Sequence, residues 1–549
     1  MSSTADDLLL PAPGGAGNSR ARRAAWLRPG TRRPPVLVAL AAVVVAVASL
    51  SPVGYLVLRE GFSFGLLRQE LDSPSTPRLL WNTVALVATV GGTCLLLGVG
   101  LAVLVVRTDL PLRPLWIVLF TMPLAVPGFV SSYTWVAASL RFAPQSTALN
   151  GLGGATLILS LGLFPYVFLP TVAALYGIDS AQEEAARALG RSAWRTWWTV
   201  TVPQLRVAVS AGSLIIALHV LAEFGGLQLL SYETLTTAIM QRIRVLGAPE
   251  SGRALAMVLV GGAAVLLLIE RLVRGRASRA RVGGGVIRTA PPWRLGAAKP
   301  VWLAAAAVVS LLALGVPLYM SVTGLADGLS GSGADSIDWA GLGQAALTST
   351  ELAVSAGVAA TVLALPISWL TARHPGAIAT VTERSVWLAH SLPGVILALA
   401  LVYIGIHWFQ PLYQTSTMLV AAYVVLFLPL AVASQRVGFR AAARDLDDAA
   451  HSLGSGRLQT LGRVTLPLAL PGIAAGGLFV LLDVEKELTT TLLMRPTGAN
   501  TLTTALWGTT NGEVLDFTAA APYGIALIVI GVIPAYVLAR RTLQTRPRG

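Results

Sequence analysis

The sequence predicts an all-α integral membrane protein of about 12 transmembrane helices, arranged as two parallel six-helix repeats. Three observations carry this prediction. Of 549 residues, 54% are hydrophobic and only 12% are charged, about half the charged share of an average soluble domain. The apolar residues gather into runs of roughly 20, the length that crosses a hydrocarbon core of about 30 Å. Prolines, glycines and acids of the first half also recur in the second at a nearly constant spacing. A soluble enzyme is excluded, because its surface would hold too little charge.

Twelve apolar runs follow one another along the chain. In the first half they are 36–58, 80–106, 115–140, 152–176, 207–230 and 254–270. In the second half they are 301–320, 345–372, 385–409, 416–435, 469–493 and 517–539. Pro123, Pro127, Pro366 and Pro393 fall inside these runs, where neighbouring helices can satisfy the carbonyls that proline frees. Residues 1–35 are Arg-rich and polar, too long a charged region for a cleaved signal peptide, so 36–58 is expected to stay as the first span behind a disordered tail. The expected organisation is therefore a tail (1–35), a first repeat (36–270), a basic linker (271–300), a second repeat (301–540) and a short C-terminal tail (541–549).

The chain carries 40 basic and 26 acidic residues, a formal charge of +14, and only Lys299 and Lys486 are lysines. With the N-terminus in the cytoplasm, 31 of the 40 basic residues fall in loops on that side and nine on the other. The positive-inside rule then places both termini in the cytoplasm. The positive charges lie in short clusters between apolar runs and form no basic face, so no nucleic-acid partner is expected. Cys94 is alone and sits inside an apolar run, so there is no intramolecular disulfide framework.

The repeat is read from matched positions. Pro165 and Pro429, Gly190 and Gly454, Pro203 and Pro467, and Glu223 and Glu487 are each 264 residues apart. The pentapeptide TLTTA occurs at Thr234–Ala238 and again at Thr501–Ala505. Six spans per half is an even number, so both halves enter the membrane in the same sense, related by an axis along its normal. A pathway is expected where the two repeats meet.

The loops after the fourth span of each half carry the most information. In the first, Glu184-Ala185-Ala186 is followed after three residues by Gly190, and nine residues later by Val200-Thr201-Val202-Pro203. In the second, Asp448-Ala449-Ala450 is followed by Gly454 and Val464-Thr465-Leu466-Pro467 at the same spacing. The alanines permit close helix approach, each glycine permits a sharp turn, and each proline is expected to stop the second short helix before the chain re-enters the membrane. Trp194, Trp197 and Trp198 follow the first glycine and offer aromatic anchors for lipid or for a partner's cleft.

This pattern resembles the EAA loop of binding-protein-dependent ABC importer permeases, with Asp448 in place of Glu and Val in place of Ile. The resemblance spans about residues 80–540. It implies the type I importer permease fold, and two copies of a separate ATPase docked at Glu184, Ala185, Ala186 and Gly190 and at Asp448, Ala449, Ala450 and Gly454. It also implies an extracytoplasmic solute-binding protein and a place in the bacterial inner membrane. ATP and Mg would be bound by those partners, with no cofactor on this chain. In keeping with this, neither lysine stands in a phosphate-binding Gly-Lys-Ser/Thr, since Pro300 follows Lys299 and Glu487 follows Lys486.

Glu223 and Glu487 stand at equivalent places in predicted spans, where a carboxylate is costly unless it faces a polar cavity or a partner. Lining of the translocation pathway and structural pairing are both open at this point. The segment Asp483–Trp507, DVEKELTTTLLMRPTGANTLTTALW, resembles the ferric-iron branch of these permeases, as does the fusion of two permease halves in one chain. Thiamine and aminoalkylphosphonate permeases can be fused as well. Hard trivalent iron prefers oxygen ligands, and Asp483, Glu485 and Glu487 would be compatible, though no metal site is assigned. An ion-driven secondary transporter is the alternative of a different class.

Overall fold

The computed structural model describes residues 34–58, 64–244, 247, 249–274, 291–330, 337–390, 392, 394–442, 444–510 and 516–544. Residues 1–33 of the expected N-terminal tail, most of the basic linker and residues 545–549 of the expected C-terminal tail therefore lie outside the described residues. Among those residues every regular element is helical, and the only β bridge is an isolated one between Thr108 and Trp293. Among the described residues nine helices are long and apolar enough to cross a membrane, or twelve if each of three bent pairs counts as one span.

The two repeats share one plan. Long helices Thr76–Arg107 and Trp339–Arg373 are each followed by a bent pair, Arg113–Thr121 with Gly128–Phe142 and Ala377–His390 with Gly394–Trp408. Next come Leu152–Leu163 with Pro165–Tyr176, bent by 41° at Phe164 so that the run 152–176 is not one helix, and in the second half the single helix Ser416–Ala441 through Pro429. The short loop helices Ser180–Ala188 and Arg444–Ser452 follow, then Val202–Ala222 and Leu466–Lys486. Pro249–Arg274 and Phe517–Gln544 close the repeats. Each half has an apolar core that also takes in the first helix of the other half, through Ala306 and Ala313 in one and Ala42 in the other. The two are joined by a third cluster, in which Trp507 of the second repeat lies 5.4 Å from the rings of both Phe129 and Phe224 of the first. Side chains such as Val36, Leu96 and Leu347 are fully or largely exposed on outer faces, as expected where lipid replaces protein as the neighbour.

The structure corrects four more of the sequence expectations. The run 115–140 is not one helix, because Pro123 sits in a 3-10 turn and Pro127 is extended, so the chain bends by 94°. The run 385–409 bends by 102° between His390 and Gly394, while Pro393 itself lies outside the described residues. The run 207–230 ends as a helix at Ala222 and the run 469–493 at Lys486, with Glu223 and Glu487 extended at ψ 127 and ψ 112. Short helices Gly225–Leu229 and Thr489–Met494 follow each break.

The fourth correction concerns Pro203 and Pro467, which do not stop a helix. Each enters the first turn of a span that continues from the preceding short helix through a π turn, Trp197–Thr201 or Leu461–Thr465. A wider turn before a proline relieves its clash with the carbonyl one turn back. The short helix after the loop glycine and the span that ends at the glutamate are thus one rod, 193–222 in the first half.

The repeated TLTTA has a structural meaning. In each half it starts a short helix whose first free amide, Leu235 or Leu502, donates to a hydroxyl on the long helix, Thr83 at 3.0 Å or Ser349 at 2.8 Å. Unpaired amides at a helix start must find an acceptor.

Candidate coupling loops and substrate pathway

The first loop helix starts with Asp179, whose Oδ1 accepts from the Ala181 amide at 3.1 Å. It ends at Gly190, φ +83, where the Gly190 amide donates to Arg187 O at 2.9 Å and the Arg191 amide to Ala186 O at 3.2 Å. These two bonds form a Schellman cap, which requires a left-handed residue at that position. The second loop repeats it: Gly454 has φ +85, with bonds from Gly454 to His451 O and from Ser455 to Ala450 O, both 3.0 Å. Glycine is thus demanded by backbone geometry at both loops.

The residues that the sequence singles out are gathered on these helices. Glu184, Ala185, Asp448 and Ala449 are exposed, Ala186 is buried and Ala450 half-buried. Trp194 and Trp198 are exposed and pack edge to face at 5.5 Å. Trp197 turns inward onto Trp293, at the far end of the linker. There the Trp293 amide donates to Arg107 O and the Leu295 amide to Asp109 Oδ1 at 2.9 Å, while Lys299 Nζ lies 2.8 Å from Asp109 Oδ2. The Lys299 ammonium and that amide hold the Asp109 carboxyl below its ordinary range.

One acid that the sequence reading passed over anchors each loop. Glu183 is buried, and Arg107 grips it with Nη2 at 2.7 Å from Oε1 and Nη1 at 3.4 Å from Oε2. Thr201, in the π turn, donates its hydroxyl to the same Oε1 at 2.7 Å. In the second half Arg373 Nη2 lies 3.0 Å from Asp447 Oδ2, and Thr465 donates to Asp447 Oδ1 at 2.8 Å. Each clamp ties the loop helix to the end of one span and the start of another. The signal was in the sequence, since 183 and 447 keep the 264-residue offset and 107 and 373 lie 266 apart. Two adjacent acids, Glu183 and Glu184, read alike until burial separates them.

Glu223 and Glu487 meet in one cavity of about 140 Å³ between the repeats, also lined by Tyr166, His219, His390, Asp483 and Lys486. Each glutamate caps the short helix after its own break: Glu223 Oε1 accepts from the Gly226 amide at 3.0 Å, and Glu487 Oε1 from the Thr490 amide at 2.8 Å. Each also lies against the start of the broken third span of its repeat. A Cβ at Gly128 would stand 3.2 Å from Glu223 Oε2, and one at Gly394 would stand 2.9 Å from Glu487 Oε1. Structural capping and cavity lining are thus combined in the same carboxylate. Asp483 and Glu487, one helical turn apart, both line this cavity, whereas Glu485, two residues from each, points to nearly the opposite side and does not join them. Among the described residues no group of three or more His, Cys, Asp or Glu could hold a metal ion.

Comparison with known proteins decides the family. The profile described as binding-protein-dependent transport system inner membrane component matches twice, at residues 94–276 and 364–544. The chain belongs to this family. It is similar to the Fe(3+)-transport system permease protein FbpB 2 of Haemophilus influenzae, 31% identical over 512 residues that cover 92% of this chain and 98% of that one. Shorter matches are to the sulfate transport system permease protein CysW of Escherichia coli, 28% identical over 36% of this chain and 70% of the relative. The molybdenum transport system permease protein ModB of the same species is 26% identical over 37% of this chain and 96% of its own length. The chain is a multi-pass permease component of an ABC importer, with two copies of the family unit in one polypeptide. Importers of this family work with an ATPase and a solute-binding protein, and the permease itself is a transport subunit.

Proposed function

We propose that this permease carries ferric iron across the bacterial inner membrane, and that its pathway runs along the seam between the repeats. The observation that carries the substrate is the end-to-end similarity to the Haemophilus influenzae iron permease, which extends through both repeats and the linker. The seam cavity supports the reading by its size and lining. At about 140 Å³ it suits an ion with a few waters at roughly 30 Å³ each, and it is smaller than the roughly 300–1,000 Å³ that organic ligands occupy. Glu223, Glu487 and Asp483 supply the oxygen chemistry that a hard cation prefers.

In this reading two copies of an ATPase subunit sit on the cytoplasmic side, one at Glu184, Ala185, Ala186 and Gly190, the other at Asp448, Ala449, Ala450 and Gly454. ATP and Mg belong to those subunits, both termini lie in the cytoplasm, and the binding protein delivers substrate to the opposite face. The rods 193–222 and 461–486 run from the clamped loops to the two glutamates, and Thr201 and Thr465 tie each loop helix to its rod, so movement of a loop helix is passed through the clamp to the cavity. The test is transport by the complex reconstituted with its ATPase and binding protein, offered ferric iron, thiamine or an aminoalkylphosphonate in turn. ATP-dependent uptake of iron alone is expected. Uptake of an organic substrate instead would replace iron, and ion-driven uptake without ATP would overturn the importer reading.

A further inference from the structure

The 264-residue offset that pairs Glu223 with Glu487 also pairs His219 with Asp483. These two equivalent residues touch each other, with His219 Nε2 3.7 Å from Asp483 Oδ2. Residues equivalent under a twofold axis can meet only on that axis. In a dimer of identical chains the same position would set like against like, and two carboxylates at such a distance repel strongly. Fusing two diverged halves into one chain removes that constraint and allows a complementary pair.

Asp483 is the centre of the contact. It is almost fully buried, and from the first repeat it is met by His219 and by the Tyr166 hydroxyl, which donates to Oδ1 at 3.0 Å. From its own helix Lys486 donates to Oδ1 at 3.3 Å. His219 is held on its own side, with Nδ1 3.0 Å from Ile215 O and its ring 4.9 Å from that of Tyr166. His390 faces it from the broken third span of the second repeat, ring to ring at 6.4 Å. Asp483 is the group on which both polar partners from the first repeat, His219 and Tyr166, converge. When the repeats separate, Lys486 stays beside it, so its charge is not left bare, which would be costly in a buried site.

We propose that Asp483, received by His219 and Tyr166, is a separable latch that closes the pathway on the pseudo-twofold axis, one helical turn from the glutamate pair. The proposal rests on the seam being the pathway. Its test uses the full complex, with ATPase and binding protein, in liposomes loaded with Mn2+, and measures ATP-independent Mn2+ efflux per assembled complex. His219→Asp sets two carboxylates face to face and should raise efflux by about tenfold or more. The exchange His219→Asp with Asp483→His should return it to within about twofold of the parent. Unchanged efflux in the assembled single variant, or an exchange no better than the two single changes combined, would overturn the latch. If His219→Asp prevents assembly, His219→Gln and Asp483→Asn form the cycle instead. Non-additive efflux is then expected, and additive efflux overturns the proposal. The double variant Glu223→Gln, Glu487→Gln, run alongside, separates the two ideas. If its transport is unaffected the pathway carboxylates fail, whereas normal efflux in the latch variants sinks the latch alone.

Discussion

Gly190 and Gly454 offer the cleanest perturbation of coupling, because the cost of replacing them is one of backbone alone. Both sit at φ above +80°, and a Cβ added to either would meet nothing within 4 Å. No packing changes, and no side chain is displaced. An L-residue in the left-handed region costs roughly 1–2 kcal/mol, and a β-branched one is disfavoured further. Since 1.4 kcal/mol is about tenfold in an equilibrium constant, Gly190→Val should weaken ATPase docking at that loop by roughly 5- to 30-fold, and Gly454→Val likewise. Asn tolerates this conformation, so Gly190→Asn should recover most of the affinity. The assay is titration of the purified ATPase onto the permease in nanodiscs, with membrane yield and thermal unfolding of the permease as controls. Wild-type affinity and transport with both glycines changed to valine would refute the role given to these caps.

Five further outcomes are expected. Thr201→Val keeps shape but removes a hydroxyl from a buried carboxylate, and should cost about 1.5–3 kcal/mol. Glu183→Gln breaks the buried pair with Arg107 and should cost about 3–5 kcal/mol, while Glu183→Asp should be tolerated because Asp447 does the same work in the second half. Thermal unfolding and the ratio of transport to ATP consumed check these together. Removing charge at Glu184 and at Asp448 should reduce transport unequally, since Asp448 is one methylene shorter against an identical ATPase; equal losses at matched expression count against this. Glu223→Gln and Glu487→Gln should each lower iron transport per assembled complex while ATPase docking persists, and an unchanged rate in the double variant would remove both from the mechanism. Finally, the Asp109 carboxyl is held below its ordinary range by Lys299 and the Leu295 amide. Its stabilising contribution is therefore complete above the unfolded value of about 4 and is lost as pH falls through the lower folded value. Proteolysis of the linker should increase below about pH 4 in the parent, and Lys299→Met should narrow that change.

The sequence by itself determined the solvent, the apolar runs, the repeat and the place of the two glycine-turn loops. These are legible because membrane burial is a local demand, met by the length of an apolar run, and because a duplicated chain repeats its spacing wherever the same contact is made twice. Gly190 and Gly454 were legible for the same reason, as a left-handed cap depends on a few neighbouring residues. Only the tertiary structure decided where the runs break, because an apolar stretch reads the same across a bend, and Glu223 looked like a residue inside a helix rather than the one that ends it. It also decided that Glu183 is buried on Arg107 while Glu184 faces outward. His219 and Asp483 make the point most sharply: they lie 264 residues apart and differ in kind, so nothing in the order of residues marks them as partners. Their pairing exists because two helices of different repeats come together on one axis, and which faces meet there is settled by packing across the whole molecule.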